Sequence, residues 1–137
     1  MTGMQSKSIN YVRGTLKLRL LLWFIAQRML KAHKTSSEFR ETIQRKQFVI
    51  QMSGPGSLST RYFEVDAVSI NSRATSHPAP DLRIHFPDPE DGVHLLIRGG
   101  QTGFMYAVQE GKVILEGDLS ILFWFSTISR WLRPRTT

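Results

Sequence analysis

The chain has 137 residues, no cysteine and a formal net charge of +7. That length suits one domain with one hydrophobic core, and the missing cysteine excludes disulfides and thiolate metal sites. The charge is unevenly placed: residues 1–47 carry ten Lys or Arg against two Glu, whereas residues 48–137 carry eight against nine Asp or Glu. A basic segment joined to a nearly neutral body is expected, rather than a basic nucleic-acid-binding domain.

Residues 13 to 33 read as a helix with Leu18, Leu21, Leu22, Ile25, Met29 and Leu30 on one broad stripe. The apolar run Leu20–Ala26 is only seven residues long, against the ~20 that a membrane span needs. Gln27-Arg28 follows it with no small-x-small cleavage site, which argues against a signal peptide. The segment is therefore read as a basic amphipathic unit, residues 1–34, ahead of a domain over 35–137. It has two readings: packing on the domain with solvated cations, or lying on an anionic membrane surface. In the second, the contacts are Lys17, Arg19, Trp23, Phe24, Arg28 and Lys31. Thr35-Ser36-Ser37-Glu38 fits a capping box opening a second helix, with Phe39 and Ile43 on one face.

From Phe48 the period changes to two. Phe48, Ile50 and Met52 alternate with Val49, Gln51 and Ser53. Gly54-Pro55-Gly56 turns the chain into LSTRYFEV, and a short step at Asp66 leads to VSINSRA. Strands joined so closely are expected to be antiparallel neighbours. His77-Pro78-Ala79-Pro80 interrupts the sheet, since proline cannot donate to a ladder. Leu82, Ile84 and Phe86 then form the cleanest one-face-buried strand.

Asp88-Pro89-Glu90-Asp91 is a helix start, with an N-cap acid, a first-turn proline and acids at the positive end of the dipole. This helix carries Val93, Leu95, Leu96 and Ile97 and is expected to stop at Gly99-Gly100. A second helix over about Thr102–Glu110 follows, then a strand at Lys112–Glu116. Gly117-Asp118 turns into a closing helix from Leu119 to about Leu132. The pattern predicts an α+β fold with helices covering one side of a largely antiparallel sheet.

The stretch from about Phe39 to Leu132 resembles the sterol carrier protein 2 family of lipid-binding domains. The resemblance is carried by Pro80-Asp81-Leu82-Arg83-Ile84-His85-Phe86, by the helix pair from Asp88 through FMYAVQEGKV, and by Val113-Ile114-Leu115-Glu116-Gly117-Asp118-Leu119-Ser120. It implies a five-stranded sheet with helices on one side enclosing an apolar cavity, and noncatalytic binding of fatty acids, acyl-CoA, sterols or isoprenoid lipids. Some bacterial members are accessory lipid-binding proteins in ubiquinone biosynthesis. Two departures point to a bacterial-type cytoplasmic protein, which the membrane reading of its first helix would place peripherally on the inner membrane face. The chain ends Arg135-Thr136-Thr137 instead of in a peroxisomal tripeptide, and its basic N-terminal helix is extra to the minimal domain.

No catalytic, metal or cofactor site is expected. His33, His77, His85 and His94 have no metal-ligand spacing. His85 sits on the polar side of its strand and is read as solvated. Capping accounts for Asp88, Glu90 and Asp91. Arg98-Gly99-Gly100 lacks the Lys-Ser/Thr of a phosphate loop, and Gly-Asp-Leu-Ser-Ile is not a nucleophile elbow. Nucleic acid is not an expected partner, because the cations lie on an apolar helix and no binding motif is present.

The closing helix is apolar almost all round, yet covering a sheet needs only one stripe. Its second face must meet another helix, a partner chain, a membrane or a ligand. The candidate wall of a ligand cavity comprises Ile84, Phe86, Phe104, Met105, Val108, Val113, Leu115, Ile121, Leu122 and Phe125. The alternative is an interaction module that uses these apolar helices as an oligomer interface.

Overall fold

A computed structural model describes the backbone of residues 2–132 and the side chains of residues 11–132. The Arg135-Thr136-Thr137 end, on which the peroxisomal argument rests, lies outside the described residues. Helix α1 spans Thr2–Thr35 and α2 Ser37–Thr42; strands β1 Gln47–Ser53, β2 Thr60–Asp66, β3 Ile70–Arg73 and β4 Leu82–His85 follow. Then come α3 Pro89–His94, a π-helical turn Leu95–Gly99, α4 Gly100–Gln109, β5 Ile114–Gly117, α5 Ser120–Thr127 and α6 Ser129–Leu132.

The strands form one open five-stranded sheet in the order β3-β2-β1-β4-β5. β1–β2, β2–β3 and β4–β5 are antiparallel, and β1–β4 is parallel. Alternation sorts the side chains by face. Phe48, Ile50, Met52, Phe63, Val65, Leu82 and Ile84 are buried on the inner face. Val49, Gln51, Ser53, Glu64, Arg83 and His85 lie on the other. The parallel pair arises because the chain leaves β3 at one edge and crosses the outer face through residues 74–81. His77 anchors that crossing: its amide donates to Gln51 Oε1 at 2.7 Å, and its ring packs edge-on to Tyr62. Asp81 then locks the register, its amide donating to Val49 O and its carboxylate accepting from Val49 N.

α1 is part of this domain's core. Leu18, Leu22, Ile25, Ala26 and Met29 are buried in one cluster with the inner sheet face, Phe39 and Ile43. The helix also runs alongside α3, where Lys17 Nζ meets Glu90 Oε1 at 3.2 Å.

Four local expectations are corrected. The α2 cap is Ser36, not Thr35: Ser36 Oγ accepts from Phe39 N at 3.1 Å, while α1 runs on through Thr35, whose hydroxyl donates to Lys31 O. Glycines 99 and 100 do not end a helix. The backbone bulges into a π turn and passes Gly100, at φ 60°, directly into α4. The closing helix is two pieces, with Ile128 between them. His85 is bonded rather than merely solvated, its Nδ1 lying 2.9 Å from Ser53 Oγ.

Gly117 has φ 118°, and a Cβ there would run into Asp81 O. Gly117→Ala therefore combines left-handed strain with a backbone collision at the β4–β5 junction. It should lower unfolding free energy by roughly 1–3 kcal/mol, read from the urea midpoint. Beside it, Asp118 Oδ1 accepts from the Ser120 hydroxyl at 2.6 Å and the Ser120 amide at 3.0 Å. These bonds hold its carboxyl below the usual carboxylate range. A depressed folded-state value contributes stability above the unfolded value, near 3.9, and loses it as pH falls through the folded value. The urea midpoint should drop on acidification below about pH 4, and Asp118→Asn should flatten that drop.

Candidate functional site

The closing segment is pinned at both ends of its inner face. Trp124 packs edge-on against Phe48 at 4.8 Å, and its indole N–H donates to Thr42 Oγ1 at 3.3 Å. Trp131 packs against Phe39 at 5.5 Å, and Arg28 Nε donates to its backbone carbonyl at 3.1 Å. Arg130 closes the outside through Glu38 at 2.8 Å. With Ile121, Trp124, Phe125, Ile128 and Leu132 buried, one face of the segment is spent on the core. Leu119 and Phe123 point to solvent.

Between α1, the π turn with α4, and α5–α6 runs an apolar groove. Its α1 side is a cavity of about 130 Å³ bordered by Leu21, Phe24, Ile25, Ile97 and Leu132. Its α4 side, about 30 Å³, is bordered by Leu95, Gln101, Phe104, Leu122 and Ser126. Leu96, Phe125 and Ser129 border both, so the two openings are neighbours across shared side chains. Among the described residues, the polar side chains are Gln101, Ser126 and Ser129, and no ionisable side chain borders either opening. A few polar groups on an apolar wall can orient one end of a ligand. They offer no acid, base or nucleophile with an activating partner. Among the described residues no group of three potential metal ligands is present.

The structure brings together Phe104, Leu122 and Phe125 of the expected wall. Ile84, Phe86, Val113 and Ile121 are buried in the core, with Leu115 partly buried beside them. Phe86 lies one layer below the groove, its ring 6.3 Å from that of Phe104. Met105 and Val108 do not border it: they are exposed on the outward side of α4. The expectation missed Leu21, Ile25, Leu95 and Leu96. An α-helix of unbroken period would turn the 95–97 run differently, and the π turn's wider i→i+5 winding carries Leu96 into the wall. Phe24, expected at a membrane, borders this groove instead.

The molecule's likeness to known proteins lies in its shape. No protein-family model and no curated protein sequence matches the chain. Among solved structures, UbiJ-SCP2, a ubiquinone synthesis protein, superposes with a TM-score of 0.56 at 12% identity, covering 85% of this chain and 92% of that one. The chain has the sterol carrier protein 2 fold. Apo sterol carrier protein 2 from Yarrowia lipolytica superposes at 0.54 with 14% identity, over 81% of this chain and 88% of its own. A segment amounting to 14% of the sec-alkyl sulfatase PisA1 superposes at 0.51 with 15% identity, over 70% of this chain. The sterol carrier fold thus occurs both as nearly a whole protein and as a small part of an enzyme, so it is the groove's side chains that bear on activity.

Phe125 borders both openings and is 7% exposed. Phe125→Ala should merge them into one larger cavity and cost about 3–5 kcal/mol of stability. Denaturant titration measures the cost, and uptake of benzene or xenon reports the new space.

Proposed function

We propose that this protein binds a lipid or other long apolar molecule noncatalytically, with the tail lying in the groove between α1, the π turn and α5–α6. The observation that carries this reading is a groove walled mainly by aliphatic and aromatic side chains, with no ionisable group among the described residues that border it, in a sterol carrier fold. A fatty acid, acyl-CoA, sterol-like molecule or isoprenoid quinone precursor fits this chemistry. Each CH₂ transferred from water contributes about 0.8 kcal/mol, so a long tail binds without a specific polar contact.

The cavity of about 130 Å³ is smaller than the roughly 300–1,000 Å³ typical of ligand sites. Loading therefore requires the groove to widen. The wall has two joints suited to that: the π turn, which ends at Gly99-Gly100, and the break at Ile128 between α5 and α6. Widening at these points separates α6 and Leu96 while the sheet and α1 stay packed. An oligomer interface on the closing helix would have to use the outward Leu119 and Phe123, because Leu122 and Phe125 border the groove.

Gently purified protein, extracted with organic solvent and examined by mass spectrometry, should yield a co-purifying lipid. The protein should also take up fluorescent fatty acids. Ser129→Trp places a large ring at the shared border of the two openings. It should weaken uptake at least about tenfold, the loss of roughly two buried methylenes, with an unchanged melting temperature. Absence of both co-purified lipid and fatty-acid uptake would overturn the proposal.

A further inference from the structure

The face of α1 opposite its buried stripe is also apolar. Val12, Leu16, Leu20 and Trp23, at spacings of four, four and three, form a line about 16 Å long, and they are 48–64% exposed. Leu58, from the β1–β2 turn, is 59% exposed and borders the same depression as Leu16, Leu20 and Trp23. This depression, about 230 Å³, contains two guanidinium groups, Arg19 from α1 and Arg61 from β2.

Arg61 occupies an inner-face position of β2, opposite Met52, where its neighbours in the row are Phe63 and Val65. It reaches out past α1, donating to Ser72 Oγ at 3.0 Å. Burial, and next the charge of Arg19, lower its pKa. Among the described residues, no carboxylate lies within ion-pair distance of Arg19 or Arg61. Two like charges thus share one depression without a carboxylate partner among the described residues. Along the rest of α1 there is no acidic residue, and the exposed Arg13 and Lys31 sit on the other side of the apolar line.

We propose that this face docks the protein on an anionic phospholipid bilayer, with Val12, Leu16, Leu20, Trp23 and Leu58 entering the headgroup boundary and a lipid phosphate seated between Arg19 and Arg61. Charge and shape select this occupant. Exposed aliphatics flanked on both sides by cations match an anionic interface. A nucleic acid would have no use for the aliphatic line, and a second copy of the same face would set cations against cations. The contact differs from the one expected for this helix. Lys17 is paired with Glu90, Arg28 is bonded to Trp131, and Phe24 borders the groove. Docking is independent of lipid carriage, since the two use different faces of α1.

The test is flotation of the full chain with phosphatidylcholine vesicles, with and without roughly equal phosphatidylglycerol, alongside Trp emission. Trp124 is buried and Trp131 half-buried, so lipid contact should blue-shift the Trp23 component. Wild type should float only with the anionic vesicles. It should be released in about 1 M salt, where screening shortens to about 3 Å. Arg19→Gln should lower vesicle affinity about fivefold, and Leu20→Ser should weaken it further with fatty-acid uptake unchanged. Equal flotation with neutral vesicles, no flotation, or flotation unaffected by Arg19→Gln together with Leu20→Ser would overturn the proposal. So would a dimer, measured by sedimentation, that those substitutions dissociate.

Discussion

The burial of one α1 stripe organises the rest of the helical layer. Leu18, Leu22, Ile25 and Met29 are each at most 4% exposed, and burying such side chains contributes roughly 1.5–3 kcal/mol apiece. Once they are seated, the helix has no rotational freedom. Phe24 and Leu21 must then border the groove, and Leu16, Leu20 and Trp23 must face outward. A single rigid element therefore has three distinct faces, one buried in the core, one bordering the groove and one turned outward, and α1 cannot be treated as an appendage of the sheet.

The groove follows from an imperfection in the elements that cover the remaining sheet. Between α3 and α4 the chain neither stops nor continues as an ordinary helix; it widens into a π turn before the positive φ of Gly100. Such turns recur at functional sites because they re-aim side chains, and here Leu96 is the one re-aimed. Opposite it, α5 gives way to α6 at Ile128. Two helical irregularities face each other across Phe125 and Ser129. Space persists there because neither side offers a continuous ridge to fill the other's groove.

Much of the scaffold was legible in the residues. The alternation in Phe48–Met52 and Leu82–Phe86 named the buried face correctly, because one-sided burial leaves a period of two. Asp88 capped its helix as its neighbours implied, accepting from Glu90 N. The parallel pairing of β1 with β4 was not legible: their partners lie 32 residues apart, and nothing local to either strand records a neighbour that arrives by a crossing loop. The choice of Ser36 over Thr35 was equally hidden, since both offer a hydroxyl and only the end point of α1 decides between them. Met105 and Val108 looked like wall residues for a related reason. Their apolarity is local, whereas which side of α4 faces Leu122 is set by how that helix is seated.

By itself, then, the sequence determined the elements, the apolar stripes and the placing of positive charge, because periodicity and composition are properties of neighbouring residues. The second apolar face of the closing helix raised a question of partner that composition could not answer. Tertiary structure assigned part of it to Trp124 on Phe48 and Trp131 on Phe39, and part to a groove shared with α1 and the π turn. It also set Arg19 beside Arg61, 42 residues apart in the chain. Such pairings depend on the relative seating of helix and sheet, which is decided by packing of the whole core rather than by any one segment.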